Sequence, residues 1–315
     1  MADDLQRTTR TRDLGILALV ILGPVWGYGW IATKVALDYS DALTFVALRV
    51  SLSAACLFLV MIVLRRSLRP PPLGYTMLIG LLQTTFFVGL VITALGSTGA
   101  GRVSVLTYTM PFWLVLLAWI FLGERLRGLQ WLAVGLASVG LILVVRPWQF
   151  EGAASGVRTV LGGLSWAASA LVVKLMQRKY TVDVLSLASW QMLFGSIPLV
   201  LLAALTYSRG PDWTAGFIWG LGYTVVLANA VAWFLWLYAL HALPAGAVGL
   251  GTLAIPVVGV LAAWIQLGEV PTLVEGVGMI LIIAALAVLA GYGFLAGRLG
   301  AVAAGEEPDV RPVTD

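Results

Sequence analysis

The stretch AGRVSVLTYTMPFWLVLLAWIFLGE, residues 100–124, recurs later in the chain as AGAVGLGTLAIPVVGVLAAWIQLGE, residues 245–269. A shift of 145 positions (256 − 111 = 145) places Pro111 on Pro256 and aligns the Ala-Gly, Ala-Trp and Leu-Gly-Glu pieces. A proline inside an apolar run is costly in a soluble helix. It is tolerated in a membrane helix, because neighbouring helices take up the freed carbonyl. We therefore predict that the chain contains two copies of one membrane-spanning unit.

The composition supports a membrane protein. Of the 315 residues, 60% are hydrophobic and 11% are charged, and the mean hydropathy is +0.98, whereas soluble domains carry roughly 25% charged residues. The net charge of +4 reflects Lys and Arg at helix ends, which orient a membrane protein, so no nucleic-acid partner is predicted. A single cysteine, Cys56, and a single histidine, His241, disfavour a metal site, and we predict no cofactor.

Apolar runs long enough to cross a bilayer predict an all-α polytopic protein with ten transmembrane helices in two five-helix repeats. The expected spans are 14–37, 42–64, 73–95, 102–122, 129–146, 157–177, 184–206, 215–239, 246–267 and 273–296. The first run continues without a small-residue cleavage pattern, so we interpret it as an uncleaved span. The predicted parts are an N-terminal segment 1–13, a first repeat 14–146, a connector 147–156, a second repeat 157–296 and a polar tail 297–315.

An odd number of helices per repeat inverts the second repeat relative to the first. Pairs of residues eight apart support the repeat: Trp26 and Lys34 with Trp166 and Lys174, then Asp41 and Arg49 with Asp183 and Gln191. With the N-terminus inside, 13 of the 19 Lys and Arg residues fall on cytoplasmic segments. This asymmetry predicts a multi-pass protein of the cell membrane with both termini cytoplasmic.

These motifs resemble a known family. Trp26, Gly27 and Lys34 in the first span, Arg49 in the second, and Pro111 followed by Gly-Glu-Arg-Leu at 123–126 are similar to the drug/metabolite transporter superfamily, EamA-type branch. The second repeat departs from the pattern at Ala167 and at Val270-Pro271. The resemblance implies ten helices in two inverted repeats and a secondary transporter, often an exporter of amino acids or related metabolites. Some members are aromatic amino-acid exporters.

Two amides occupy nearly equivalent positions near the middle of their spans, Gln83 in the third and Asn229 in the eighth. One interpretation places both at a central cavity near the repeat axis, where they bind a polar substrate group. The alternative is hydrogen bonding between helices, which is common for amides in membrane bundles.

Arg49 lies inside the second span, where an arginine is expensive and needs a partner or water. It can attract a substrate carboxylate, or it can be a structural anchor with Asp38 or Asp41 as candidate partners. We favour the anchor, because the equivalent position in the second repeat is the neutral Gln191. Lys34 and Lys174, near helix ends, are expected to extend towards the interface.

Aromatic residues are frequent in mid-span and predict an aromatic-lined cavity, with packing against lipid or protein as the alternative for many of them. The candidates are Tyr28, Trp30, Phe86, Phe87, Tyr108, Trp166, Trp190, Trp233 and Trp236. Pro111 and Pro256 are expected to bend their helices, either as gates or as fixed kinks. Glu124 and Glu269, at helix ends, are interpreted as caps or as partners of loop arginines.

The residue types decide between function classes. A membrane-embedded enzyme needs a nucleophile–base pair, paired carboxylates or metal ligands, and the spans offer none, so no catalytic residue is predicted. A channel fits poorly with inverted repeats. No carboxylate lies deep in a span, which disfavours proton or sodium coupling. We predict a transporter of a small molecule in the lipid bilayer, an exporter by the resemblance, which works by alternating access of the two repeats around a midplane cavity; an importer or a channel for a small metabolite is the alternative. Nothing in the sequence indicates an oligomeric state.

Overall fold

The computed structural model describes residues 2–95, 107–125, 128–145, 153–207, 209–267 and 272–303. Within these residues the secondary structure is helical, without strands, and forms ten apolar helical units. They are α1 (Ala2–Leu37), α2 (Ala42–Val63), α3 (73–95), α4 (Met110–Leu122), α5 (Leu129–Val145), α6 (Ala153–Gln177), α7 (Val184–Leu205), α8 (Ala215–Ala242), α9 (245–267) and α10 (Leu273–Ala303). The prediction of an all-α protein with ten spans is confirmed.

The outer surface is apolar, as a membrane requires. Among the described residues, six helices are apolar and long enough to cross a bilayer, and four shorter apolar helices accompany them. Large apolar side chains point outward, for example Val63 (70% exposed), Leu205 (84%) and Ile280 (67%). In water this surface would be unstable, so it faces lipid.

The helix ends follow local capping chemistry. Asp41 begins α2 and accepts a hydrogen bond from the N–H of Thr44 at 2.9 Å, and its repeat partner Asp183 begins α7 and accepts one from Ser186 at 2.7 Å. These are N-caps of the kind that satisfy orphan donors in the first turn. Gly123 ends α4 with a φ of 72°, a left-handed conformation that favours glycine.

The helices of the two repeats pack against each other instead of forming two separate domains. Helix α1 packs against α8 and α9, and α6 packs in the same way against α3 and α4. Helix α2 packs against α7 and α8, α7 packs against α2 and α3, α4 contacts α9, and α5 lies along α10. Each contact has a counterpart when the helix numbers are shifted by five. The packing is therefore pseudo-symmetric and places the repeat interface in the centre of the molecule.

Small residues allow two of these crossings to be close. A Cβ built on Gly195 of α7 would lie 2.4 Å from the carbonyl oxygen of Gly80 in α3, so the two backbones touch. At the equivalent crossing of α2 and α8, the hydroxyl of Ser53 donates to the carbonyl of Val225 at 2.9 Å. Close approach through small residues, and hydrogen bonds between helices, are the usual means of helix association in a membrane.

Candidate functional site

A cavity lies at the interface of the two repeats, between α1, α2, α3, α4, α6, α8 and α9. Its volume is about 110 Å³. It is lined by Trp26, Gly29, Trp30, Thr33, Arg49, Phe87, Val88, Val91, Thr107, Tyr108, Trp166, Ala228, Trp233 and Ile255. Six of these fourteen residues are aromatic and one is charged. The site is an apolar, aromatic chamber with a single cation in its wall.

The position of the lining residues along their helices gives the depth of the cavity. Trp26 lies near the middle of the predicted span 14–37 in α1, and Trp166 lies near the middle of α6. Thr33 and Val91 lie near the ends of α1 and α3. The cavity therefore extends from mid-membrane towards the face where α1 ends and α2 begins, which we call the cavity face. The opposite membrane face, where α6 ends and α9 begins, is called the latch face below.

Tryptophan rings close the cavity at mid-membrane. The ring of Trp26 lies 5.4 Å from that of Trp166 and 4.9 Å from that of Trp233. Trp236 is fully buried behind them, 5.1 Å from Trp166. The indole Nε1 of Trp26 donates to the carbonyl of Ala228 at 2.8 Å, which ties α1 to α8. Edge-to-face packing of this kind makes a rigid floor.

Arg49 reaches the cavity from α2 and is held by an amide. Its Nε and Nη2 atoms donate to Oδ1 of Asn229 at 3.0 and 2.8 Å. Among the described residues, Arg49 forms no ion pair. The expectation that Asp38 or Asp41 pairs with Arg49 is therefore wrong. Asp41 faces the backbone of its own helix as an N-cap, and the amide on α8 is closer to the guanidinium than either rim carboxylate.

The two predicted amides have different positions. Asn229 lies behind Arg49 and orients it, whereas Gln83 accepts a hydrogen bond from Ser169 of α6 at 3.2 Å. Both amides are buried, and neither lines the cavity. On the other side of the pseudo-symmetry, Gln191 accepts from Thr84 at 3.2 Å. In this structure the amides form hydrogen bonds between helices, which is the second of the two interpretations given in the sequence analysis.

Both amides lie in π-helical segments at matching positions of the two repeats. These segments are Gly80–Phe86 in α3 and Thr224–Val231 in α8. A π-helical turn widens the helix and shifts side chains relative to a regular α-helix, and such turns occur frequently at functional sites. Here the widened turns face α7 and α2, so they present Gln83 and Asn229 to the other repeat.

Five of the predicted aromatic residues line the cavity: Trp30, Phe87, Tyr108, Trp166 and Trp233. Trp30 donates through Nε1 to the hydroxyl of Tyr108 at 3.0 Å, which joins α1 to the turn before α4. Tyr28 does not line this cavity. It packs on the other face of α1 against Trp219 and Tyr223, at 6.1 and 5.2 Å between ring centroids.

Of the remaining aromatic candidates, Phe86 points outward with 52% of its side chain exposed. Trp190 packs between Phe58 and Phe194. The sequence analysis named Trp26 only as part of a motif and did not predict that it lines the cavity. Its position one helical turn before Trp30 is the signal that relates the two, because residues four apart share a helix face.

The prolines mark breaks in the helices and not kinks within continuous ones. Tyr108 and Thr109 form a turn directly before the segment Met110–Leu117, and Pro111 lies in its first turn. In the second repeat, Thr252 and Leu253 form the matching turn before Ala254–Leu267, which contains Pro256. A proline in the first turn costs no hydrogen bond, because its N–H would lack a partner there.

The bend that we expected at each proline is therefore a break in the turn before it. The helix breaks are supplied by the turns, and both adjoin the cavity through Thr107, Tyr108 and Ile255. Discontinuous helices around a midplane site are a recurring feature of secondary transporters.

Glu124 connects the two repeats on the latch face. Gly123 turns the chain so that the carboxylate of Glu124 accepts hydrogen bonds from the N–H groups of Ala245 and Gly246, both at 3.1 Å. The interpretation of Glu124 as a cap is confirmed, and the helix it caps belongs to the other repeat. Its counterpart Glu269, with Ala100 and Gly101, lies outside the described residues.

Two cations complete this contact. Lys174 at the end of α6 donates through Nζ to the carbonyl of Leu243, just before α9, and Arg178 donates to the carbonyl of Leu122 at 2.6 Å. Lys174 therefore does not extend to the interface as expected. It is drawn to a carbonyl that has no intrahelical donor. We call Glu124, Lys174 and Arg178 the latch, because they join α4, α6 and α9 on the face opposite the cavity.

The described residues contain no group of three or more His, Cys, Asp or Glu side chains that could hold a metal ion. The chemistry of the site is therefore that of aromatic surfaces, one guanidinium and a few hydroxyls. A model of the EamA-like transporter family matches residues 13–146 and again residues 157–291. The chain belongs to the EamA-like transporter family. It is a multi-pass membrane transporter, and its double match repeats the duplication seen in the stretches around Pro111 and Pro256.

Relatives of this EamA-like transporter extend over most of its length. The uncharacterized transporter YoaV of Bacillus subtilis is 25% identical over 277 residues, which cover 85% of this chain and 93% of that protein. A probable amino-acid metabolite efflux pump of Salmonella typhimurium is 26% identical over 308 residues, which cover 93% of this chain and 99% of the pump. A crystal structure with 18% sequence identity matches 92% of this chain and 99% of its own, with a TM-score of 0.76, and shows the same fold.

Proposed function

We propose that this EamA-like transporter exports amino acids, aromatic or otherwise apolar, or related small metabolites across the cell membrane. The observation that carries the proposal is the cavity at the repeat interface, whose wall combines six aromatic rings with the guanidinium of Arg49. Aromatic faces favour apolar and aromatic side chains, and a guanidinium favours a carboxylate. Two relatives that cover most of the chain are described as probable amino-acid metabolite efflux pumps.

Alternating access is the proposed mechanism. The cavity extends towards one face, while the tryptophan floor and the latch lie between it and the other. At about 110 Å³ the cavity is smaller than the roughly 300 Å³ at the lower end of ligand pockets, so substrate binding requires the walls to separate. The turns before Pro111 and Pro256 are the proposed hinges, because they interrupt α4 and α9 beside the cavity.

The proposed orientation places both termini and the latch in the cytoplasm. The excess of Lys and Arg on the segments of that side supports it, and so does the even number of spans. Reporter fusions at residue 1 and residue 315 are expected to be active only as cytoplasmic reporters. A periplasmic or extracellular signal at either end would contradict this orientation.

Removal of Glu124 is expected to open the latch face. Glu124→Ala deletes both acceptors for Ala245 and Gly246, at a cost of about 1–2 kcal/mol for a lost cap. A cysteine placed at Val115, which lies against Gly246, is expected to react about tenfold faster with a thiol reagent, since ~1.4 kcal/mol is a factor of ten. The background for the measurement is Cys56→Ser.

The matched control is Glu275→Ala, which removes a partly exposed carboxylate in the first turn of α10, at the opposite face. It is expected to leave the reactivity at position 115 unchanged. Equal reactivity in Glu124→Ala and the parent would show that Glu124 does not keep this face closed.

Counterflow in proteoliposomes tests the function itself. Vesicles loaded with unlabelled phenylalanine are expected to accumulate labelled phenylalanine transiently and saturably, which a channel does not do. Phe87→Ala removes a ring from the cavity wall and is expected to lower the rate, whereas the adjacent Phe86→Ala alters only an exposed side chain. Absence of counterflow with phenylalanine, leucine and alanine alike would overturn the proposal.

A further inference from the structure

The cavity contains a cation without a matching anion. Among the fourteen described residues that line it, Arg49 is the charged one. Its two hydrogen bonds go to the neutral amide oxygen of Asn229, so its positive charge is not balanced by a carboxylate. An arginine stays protonated in proteins. The site therefore presents net positive charge to whatever enters it.

The acidic residues of the chain lie elsewhere. Of the 15 Asp and Glu residues, nine are among the described residues, and they lie in the N-terminal segment 1–13, in loops or at the ends of helices: Asp3, Asp4, Asp13, Asp38, Asp41, Glu124, Asp183, Asp212 and Glu275. The other six lie outside the described residues: Glu151, Glu269, Glu306, Glu307, Asp309 and Asp315. The segment 96–106, which lies outside the described residues, contains no acid in its sequence either. The described residues thus offer the amino group of a bound solute no carboxylate at mid-membrane depth.

The site consequently interacts differently with the carboxylate and with the ammonium group of an amino acid. A carboxylate gains a charge-assisted hydrogen bond from Arg49 in a low-dielectric site, where such bonds are strong. An ammonium group is repelled by the same guanidinium and is left with the aromatic faces, whose cation–π attraction is worth less than an ion pair in such a site.

A second donor adds to this preference. Trp166 is 3% exposed and lines the cavity, yet its Nε1–H has no hydrogen-bond partner among the described residues. A buried N–H without a partner is costly. A carboxylate with two acceptor oxygens can engage a guanidinium and an indole, whereas an ammonium can only donate and satisfies neither.

We propose that this site recognises the carboxylate of its substrate and not the amino group, so that its substrate class is aryl carboxylates, with amino acids as one subset. The inference rests on the proposed function, because it assumes that the cavity is the transport site. It follows that a carboxylate lacking the amino group binds at least as well as the corresponding amino acid.

Three probes that share a phenyl ring separate the two ends. They are 3-phenylpropanoate, which has only the carboxylate, phenylalanine, which has both groups, and phenethylamine, which has only the amine. Binding to the purified full-length protein is measured by quenching of the intrinsic tryptophan fluorescence, which the floor of the cavity supplies. We expect 3-phenylpropanoate to bind with an affinity equal to or above that of phenylalanine, and phenethylamine to bind at least tenfold more weakly.

Arg49→Gln tests the residue directly. The equivalent position in the second repeat is Gln191, which is fully buried and hydrogen-bonded to Thr84, so glutamine suits this packing environment. The change is expected to weaken 3-phenylpropanoate binding about 10- to 100-fold, the range for losing a hydrogen bond to a charged group, while phenethylamine binding is unchanged or improved. Arg209→Gln, an exposed arginine in the loop before α8, is the matched control and should alter none of the affinities. Arg49→Lys retains the charge and is expected to keep part of the carboxylate affinity.

The outcomes distinguish this inference from the proposed function. If phenylalanine binds but 3-phenylpropanoate does not, amino-acid transport stands and the inference is overturned. If 3-phenylpropanoate binds and phenylalanine does not, the inference stands and export of aromatic amino acids is contradicted. Equal binding of 3-phenylpropanoate to the parent and to a folded Arg49→Gln protein would also overturn the inference, as would a lack of binding of either compound.

Discussion

Replacement of Gly195 by alanine is expected to destabilise the whole transporter. The added Cβ would lie 2.4 Å from the carbonyl oxygen of Gly80 and 2.4 Å from the Cβ of Thr84. Neither contact can be relieved by a flexible side chain, because one partner is backbone and the other is a branched Cβ within the π-helical segment. We expect a loss of about 3 kcal/mol, the upper end of overpacking costs.

This loss corresponds to a decrease of roughly 5–10 °C in the unfolding midpoint. The midpoint is measured by intrinsic fluorescence of the detergent-purified protein, together with the yield of monodisperse material. Gly222→Ala is the matched control, since no atom lies within 4 Å of a Cβ built there and the residue is exposed on α8. Equal midpoints for the two variants would show that α3 and α7 do not cross closely at Gly195.

The second large effect is expected at Asn229. Asn229→Leu removes the acceptor of both hydrogen bonds that the guanidinium of Arg49 donates to α8 and leaves this partly buried cation unpaired, at about 3 kcal/mol. The released side chain also loses its orientation towards the cavity. We therefore expect both a lower unfolding midpoint and a decrease of tenfold or more in counterflow rate.

Asn229→Asp separates the two effects. The aspartate has nearly the same shape and accepts the same hydrogen bonds, so the fold is expected to be kept. Its carboxylate neutralises Arg49 and competes with a carboxylate substrate, so transport is expected to fall at least tenfold. Gln83→Leu is the matched control in the first repeat, because its partner Ser169 is neutral. We expect Gln83→Leu to cause a clearly smaller loss in both measurements.

Transport at the parent rate in Asn229→Asp would show that the charge of Arg49 plays no part in substrate binding. Transport and stability equal to the parent in Asn229→Leu would show that Arg49 needs no amide partner. The two variants thus test the positioning role of Asn229 by different routes. One deletes the acceptor, and the other keeps it and adds a charge.

Much of the fold could be predicted from the sequence. The ten spans follow from the length of apolar runs, which is a local property that does not depend on the neighbours of a helix. The duplication follows from anchors such as Pro111 and Pro256, because a repeat is visible in residue order alone. The sequence analysis gave a helix cap as one of two interpretations of Glu124. It did not predict that the capped helix belongs to the other repeat.

The sequence predicted only some of the residues that line the cavity. Trp30, Phe87, Tyr108, Trp166 and Trp233 were among the aromatic candidates, but so were residues with other surroundings. Phe86 and Phe87 are adjacent, yet one is exposed and the other lines the cavity. Composition cannot separate them, because in a membrane both faces of a helix are apolar and the pattern lacks the polar side that marks the exterior of a soluble helix.

What the tertiary structure decided is which side chains meet. Arg49 could be placed in a span from the sequence, but its partner Asn229 is 180 residues away, and the nearer Asp41 was already engaged by its own helix. The rotation of α2 and α8 about their axes depends on close crossings such as Ser53 with Val225. The turns before Pro111 and Pro256 depend likewise on neighbouring helices, since a proline fits both a first turn and a kink. The lengths of the helices are determined by the chain itself, whereas their rotations, breaks and partners are determined by packing between two halves that are distant in sequence.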